Sequence, residues 1–327
     1  MAKRVAPQPP PAARRVVGVA FSGGRDSVAL MHATASCARD LGELHVVGLH
    51  VHHGLMPQAD AWVQQIQAQV SSWQSQGLPV GLRVQRLKGA PQSGDSVEAW
   101  ARKHRYAALR EMARAEGIDT ILLAQHLKDQ AETVMLQALR GAGAAGWAAM
   151  PHAVERDGVW WIRPWLYRPR TAVQAYVQAH RLSYVDDQSN ADPRFARARL
   201  RQQVWPALLD AFPAAEQTLA AAAQRLHEAQ VCCDELAAQD LMTSVAGYDS
   251  AQAQPGRLRV AVWRQWSVER RANVLRHWLA AVFQQGVPDS LVRRLVVELP
   301  QARGLSRWPA PGGELELVRG LLHWRAR

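Results

Sequence analysis

The chain has 327 residues, enough for about two domains, and 48% of them are hydrophobic, as in an ordinary globular protein. A formal charge of +11 points to a polyanionic partner, either nucleic acid or an acidic membrane surface. Three cysteines (Cys37, Cys232 and Cys233) cannot build a disulfide framework or a CxxC metal pair, which indicates a reducing compartment. No run approaches the ~18 apolar residues of a membrane span. The expectation is a cytoplasmic protein with no membrane association.

Residues 1–15, "MAKRVAPQPPPAARR", carry charge and prolines but no apolar stretch of the secretory kind, and read as a disordered basic tail. Val16 to Phe21 then reads as a buried strand, Ser22 to Ser27 ("SGGRDS") as a tight polar turn, and Val28 to Leu41 as a helix. A glycine-rich turn lets backbone N–H groups approach a phosphate closely, and the following helix aims its positive end at the same point. The turn lacks the Gly-Lys-Ser/Thr ending of the Walker loop, so it is a phosphate cradle of another kind. The competing reading is a plain strand–turn–helix connection with an N-capping Asp or Ser.

The next strand, "LHVVGLHV", runs into "HVHHGL". Alternation puts His50 and His52 on one strand face. Without neighbouring cysteines or carboxylates a zinc set is not supported, and His53-Gly54 reads as a turn beside the nucleotide. A helix from Ala59 to about Ser75 and a strand "PVGLRVQRL" follow. In the helix from Ser96 to Ala115, Glu98, Arg102 and Tyr106 lie four apart on one face, and Glu98–Arg102 is a favourable pair.

The strand "TILLAQH" leads to a helix from Asp129 to Leu139. Asp129 and Glu132 share a face of that helix, where they serve either as acids favouring the helix dipole or as a ligand pair. The glycines after Arg140 suggest a mobile loop over the site. "VERDGVWWIRPW" reads as a hairpin turning at Asp157-Gly158, and a helix covers Thr171 to Ala179. The irregular "YVDDQSNADPRF" is followed by Arg194, Arg197, Arg199 and Arg201, a residue type suited to bidentate phosphate or carboxylate contacts.

Strands separated by such helices imply an α/β fold with a parallel sheet, whose ligands sit at the carboxyl ends of the strands. From Pro213 the composition shifts to an Ala/Gln/Leu helix, then to Trp- and Arg-rich helices and a closing hairpin, "GELELVRGLLHWRAR". The expected division is a first domain at 16–212 and a smaller, mainly helical second domain at 213–327.

Taken together, "SGGRDS", "HVHHGL", "EAWARKHRY", "DQAET", "RGAGAAG", "IRPWL" and "DDQSNADPRFARARLR" resemble the ATP-pyrophosphatase, or PP-loop, superfamily. Within it they resemble the tRNA(Ile)-lysidine synthetases. The likeness runs from about Val16 to Pro206, and more loosely into a C-terminal tRNA-binding part. The chain ends about where shorter members do, so a third domain of longer members is expected to be absent.

The resemblance implies a Rossmann-like PP-loop ATPase domain of the adenine nucleotide alpha hydrolase type. It implies ATP and Mg2+ as cofactors, L-lysine as a substrate, and tRNA(Ile) with a CAU anticodon as the acceptor. Lysine is joined to C2 of the wobble cytidine through an adenylated intermediate, with release of AMP and pyrophosphate. Carried over residue by residue, it gives ATP to Ser22, Gly23, Gly24, Arg25, Asp26, Ser27, His50 and His53, and the metal to Asp26. Lysine falls to Asp129, Glu132, Thr133 and Arg201, and the catalytic roles to Asp26, Asp129 and Glu132. The tRNA falls to Arg102, Arg194, Arg197 and Arg199.

Two departures stand out. Lys128 occupies the place of a usual second Asp, and Gln125-His126 that of a His or Asn pair. Arg25 inside the cradle is expected to face solvent or a phosphate. The alternatives are a tRNA thiolase, for which the chain lacks the CxxC pairs of the cytidine-2-thiolating type, and a nucleic-acid-binding regulator with a degenerate cradle. The sequence leaves the oligomeric state open, a homodimer included.

Overall fold

The computed structural model describes residues 15–52, 54, 58–87, 89, 97–185, 192, 194–246, 256–284 and 286–326. The expected basic tail up to residue 14, His53, the expected helix start at Ser96, the side chain of Glu98 and the stretch 186–190 lie outside the described residues.

The first part of the chain is built on strands β1 (Arg15–Ala20), β2 (Leu44–His52), β3 (Val80–Arg86), β4 (Thr120–Leu122), β5 (Ala153–Arg156) and β6 (Val159–Ile162). They form one sheet in the order β3-β2-β1-β4-β6-β5, parallel except for β5, which pairs antiparallel with β6. β1 and β2 are near-continuous apolar runs because both their faces are covered. On one face Val17, Val46 and Val80 pack with Val28 and Met31 of helix α1 (Arg25–Leu41) and with Ile66, Val70 and Trp73 of α2 (Ala59–Ser75). On the other, Val47, Leu49 and Val51 pack with Leu109 and Met112 of α3 (Val97–Ala115).

From β1 the chain goes outward to β2 and β3, then crosses to β4 on the other side of β1. The carboxyl ends of β1 and β4 therefore flank a topological switch point, where sheets of this kind hold their ligands. α1 starts just past the end of β1, and α4 (Leu127–Leu139) past the end of β4.

α1 begins at Arg25, three residues before the expected Val28, with Gly24 as a cap that makes no side-chain hydrogen bond. The ladder of β4 ends at Leu122 rather than at His126, so Gln125 and His126 stand in the loop above the sheet edge. The hairpin of β5 and β6 turns where Asp-Gly indicates, with φ of +55° at Asp157 and +77° at Gly158. The short α5 (Ala144–Trp147) precedes the hairpin, and beyond it come α6 (Arg170–Ala179), α7 (Ala196–Arg199), a π-helical turn at Leu200–Val204, and α8 (Trp205–Ala211). Leu200 and Trp205 pack on Ala131 of α4, which brings the arginine-rich segment to that helix.

The chain divides into two compact units, Met1–Gln224 and Arg225–Arg327, and the division falls inside the long helix α9 (Ala215–Ser244). The second unit contains helices α10 (Val260–Trp263), α11 (Val268–Phe283) and α12 (Asp289–Glu298). Its antiparallel sheet has the order β7-β8-β11-β10-β9, formed by β7 (Val245–Ala246), β8 (Arg257–Arg259), β9 (Ser306–Ala310), β10 (Gly313–Val318) and β11 (Leu321–Ala326). β10 and β11 are the closing hairpin read from the sequence. β9 escaped that reading because Pro309 interrupts its pattern, and a proline is tolerated here since β9 is an edge strand. The core of this unit is built on Trp263, Trp278, Leu279, Leu295, Trp308 and Leu315.

Candidate active site at the switch point of the sheet

The cradle follows from its glycines. Gly23 has φ +84°, and a Cβ there would lie 2.7 Å from Ile66 Cγ2, so conformation and space both require glycine. The loop is held from below by the Val185 N–H, which donates to Gly23 O at 2.9 Å. Ser27 Oγ donates to Gly24 O at 2.8 Å and lies 3.0 Å from Ser22 Oγ, so the two hydroxyls brace the turn. Because no side chain caps α1, its first-turn N–H groups are left to an anion. Under the loop, the buried His50 places Nδ1 2.8 Å from Phe21 O, so it supports the last residue of the strand end.

Asp26, in the first turn of α1, faces the start of α4. Burial works against its charge, but hydrogen bonds and charge from His126 and Arg25 outweigh that and lower the carboxyl from 3.8 to about 2. Arg25 Nε donates to Asp26 Oδ1 at 3.0 Å, so this side chain turns onto its neighbour within the cradle rather than to solvent, the first of the two places the sequence allowed it.

His126 joins the two strand ends. Its ring is buried, with Nε2 3.6 Å from Asp26 Oδ2 and Nδ1 3.4 Å from Asp129 Oδ2. Asp129 also accepts the His126 backbone N–H at 3.2 Å, so it does cap the helix. Glu132 plays no such part. It is fully buried, and its Oε1 accepts from Arg201 Nε at 2.7 Å while Arg201 also reaches Asp129 Oδ1 at 3.1 Å. Burial opposes the charge of Arg201, but Glu132, Asp129 and Asp26 together strengthen it. Arg197 donates to Thr133 Oγ1 at 2.8 Å, and its Nε stands 3.4 Å from Glu132 Oε2.

The structure thus gathers Asp26, Asp129, Glu132, Thr133, Arg197 and Arg201 into one nest. Arg102, Arg194 and Arg199 lie outside it. Arg102 sits over the Tyr106 ring at 5.3 Å, Arg194 pairs with Asp192, and Arg199 donates to Arg194 O at 2.9 Å.

Four buried polar atoms lack a hydrogen-bond partner, Glu132 Oε2 and Arg197 Nε in the nest and Gln125 Oε1 and His126 Nδ1 in the loop that leads into α4. Buried groups of this kind are rare and call for an explanation, and a bound polar ligand is the natural one here. Sequence reading passed over Gln125 and His126 as site residues. Their place at the carboxyl end of β4 was the available signal. Among the described residues no group of three or more His, Cys, Asp or Glu could hold a metal ion. An ionised Asp26 beside the cradle still fits Mg2+, which takes one or two carboxylates with phosphate oxygens and water.

A glycine-braced turn at a sheet's switch point, faced by an acid, defines a PP-loop protein. The family profile described as PP-loop domain matches residues 2–208. The tRNA(Ile)-lysidine synthase of Ralstonia nicotianae is 39% identical over 93% of this chain and 63% of its own length. That of Bordetella bronchiseptica is 38% identical over 93% of this chain and 88% of its own. A U34-tRNA thiolase from Methanococcus maripaludis shares the fold, with a TM-score of 0.55 at 16% identity over 65% of this chain and 72% of the thiolase. The chain belongs to the tRNA(Ile)-lysidine synthase family. It spans 60% to 63% of the length of several of these relatives. No helix among the described residues is long and apolar enough to cross a membrane.

Proposed function

We propose that the chain joins L-lysine to C2 of the wobble cytidine of tRNA(Ile) with a CAU anticodon, converting ATP to AMP and pyrophosphate. The observation that carries this reading is the nest of two acids and two arginines, linked through His126 to the acid of the phosphate cradle. A pyrimidine carbonyl is a poor electrophile, so its oxygen must first become a leaving group. The C2 oxygen attacks the α-phosphorus of ATP and pyrophosphate departs. The charge on the departing phosphates meets the first-turn N–H groups of α1, and Asp26 would hold Mg2+ against them. The ε-amine of lysine then attacks C2 and AMP leaves with the oxygen.

The nest suits a zwitterion. Asp129 and Glu132 are matched by Arg197 and Arg201, so an ammonium and a carboxylate can replace the internal pairs charge for charge. Lysine's carboxylate takes an arginine, and its ammonium takes the released acid. Glu132 or Asp129 then accepts the proton that the ammonium must lose before attack. Thr133 fixes Arg197 in this exchange.

The +11 charge and the surface arginines, Arg102, Arg194 and Arg199 among them, suit the RNA backbone. The thiolase alternative would need sulfur-handling cysteines, and the three here are free and exposed, with no CxxC pair among them.

The test is AMP formation from ATP by the full chain, with and without lysine and CAU-anticodon tRNA(Ile). Formation that requires both substrates and puts lysine into the tRNA supports the reading. AMP formation indifferent to lysine ends it.

A further inference from the structure

Gln130 of "DQAET" and Arg163 of "IRPWL" take no part in the nest, yet both are buried. Gln130 is only 1% exposed, and its amide meets the main chain of Met150 twice. Nε2 donates to Met150 O at 2.9 Å, and Oε1 accepts the Met150 N–H at 3.1 Å. A strand neighbour would supply the same pair of bonds, and here one side chain makes both.

Met150 is in turn fastened to the sheet. Arg163, directly after β6, donates its backbone N–H to His152 O at 2.8 Å and its guanidinium to Pro151 O at 2.8 Å. The first of these bonds carries the β5–β6 ladder one step beyond the Ala153–Ile162 pair. A chain of bonds therefore runs from the sheet through residues 150–152 to Gln130. At the start of α4 a second tie joins the Leu127 N–H to Arg168 O at 3.0 Å.

The place of Gln130 on the helix gives this clamp its purpose. Successive helical residues are about 100° apart, so Gln130 lies about 160° round α4 from Glu132. The helix is thus held on one side by Arg197 and Arg201, which grip Glu132, and on the other by Met150. When lysine enters the nest, the arginines give up part of their grip on the acids. The apolar contacts of Ala131 with Leu200 and Trp205 are made to the same segment that carries those arginines. Without a tie on the opposite side, α4 could turn as the amine arrives, taking Asp129 and Glu132 with it.

We propose that Gln130 is a positioning residue of the lysine site: its clamp on Met150 fixes the rotation of α4 while Asp129 and Glu132 exchange their arginines for lysine. This rests on the reaction proposed above and assigns one more residue to it. Gln130 faces away from Glu132 and acts through the two acids.

The test compares the full chain with two variants by lysine saturation of AMP formation, by the pyrophosphate burst from ATP and tRNA without lysine, and by thermal melts. Gln130→Met keeps the length of the side chain and removes both bonds. Its kcat/KM for lysine should fall about 10- to 100-fold, the scale of a misplaced reacting group, with the burst unchanged. Gln130→Glu keeps the shape, and burial pushes its carboxyl up. Protonated, that carboxyl donates to Met150 O and accepts the Met150 N–H as the amide does, whereas ionised it repels Met150 O. Relative to the parent at each pH, its kcat/KM for lysine should recover as the pH falls, and that of Gln130→Met should stay flat. A Gln130→Glu ratio indifferent to pH, a loss shared equally by lysine and the burst, or one that follows the melting point alone overturns the clamp and leaves the reaction standing. A parent chain whose AMP formation ignores lysine overturns the reaction, and the clamp's role with it.

Discussion

Each unit of this molecule buries a carboxylate against arginine, and the two are finished differently. In the second unit Asp240 accepts from Arg270 with both oxygens, at 2.5 and 2.7 Å, and its backbone oxygen takes the hydroxyls of Thr243 and Ser244. In the first unit Glu132 is more deeply buried, yet only one of its oxygens is hydrogen-bonded, and the Arg197 Nε beside the other is equally unused. A completed pair holds a structure together, whereas an uncompleted one at the same depth is ready for a ligand. Low dielectric makes the unused atoms costly, so they persist where something else supplies the missing bonds.

The sharpest way to break this contrast is to remove one charge from each pair. Glu132→Gln keeps the shape of the nest, and the apparent affinity for lysine should fall by about 100-fold or more, the scale of a lost buried charge-assisted contact. ATP use without lysine should change little. Lysine saturation curves read this out, and an unchanged half-saturation point returns Glu132 to a purely structural role. Asp26→Ala should abolish pyrophosphate release while the fold survives, which a thermal melt beside a pyrophosphate assay will show.

For Asp240→Ala the expectation is reversed. Stability should drop by about 2 kcal/mol, the cost of losing a well-made buried polar network. Lysine and ATP constants should hold. Denaturant midpoints on the same protein samples decide it, and a lysine defect without a stability defect would erase the distinction.

Acid sharpens the comparison further. Asp26 titrates lower in the folded chain than in the unfolded one, so its contribution to stability is fully present above the ordinary value near 3.8. That contribution is lost as the pH falls through about 2. Replacing His126 with Gln removes one lowering influence, and the Asp26 carboxyl should then titrate higher, as followed by carbon NMR of labelled aspartate. A midpoint that stays near 2 would mean that Arg25 alone sets it.

The smallest effect expected is that of Lys128→Asp. The Lys128 ammonium sits 5.7 Å from the Trp205 ring centroid, a contact worth about 0.5–1 kcal/mol where partly exposed. Its loss should lower the melting point slightly, and the added acid should reduce the Mg2+ needed for ATP use. A magnesium titration unaltered by the change would show that position 128 does not face the metal.

The nucleotide end of the site was legible because it is local. Strand, glycines and acid are contiguous in "VVGVAFSGGRDS", and Gly23 needs its identity for reasons the turn itself imposes. The acid end was half legible. Asp129 and Glu132 share a helix face in any reading, but their division of labour depends on arginines 64 to 72 residues away. His126 stayed hidden because it read as the last residue of the strand "TILLAQH", and only the meeting of β1 and β4 places it between two acids. In the second unit the strands β7 and β8 were missed because two or three residues carry no alternation to detect.

The π-helical turn at Leu200–Val204 stands between two commitments. Upstream and within it, Arg197 and Arg201 aim at Glu132, and just beyond it Trp205 is sealed against α4. A residue added to a helix rotates everything after it by about 100°. The wide turn therefore works as a phase shifter, letting one continuous helical segment present a charged face to the nest and an apolar face to the core. Deleting one residue within it would restore a regular helix and force the segment to give up one of the two. The arginine grip on Glu132 and the burial of Trp205 would become mutually exclusive.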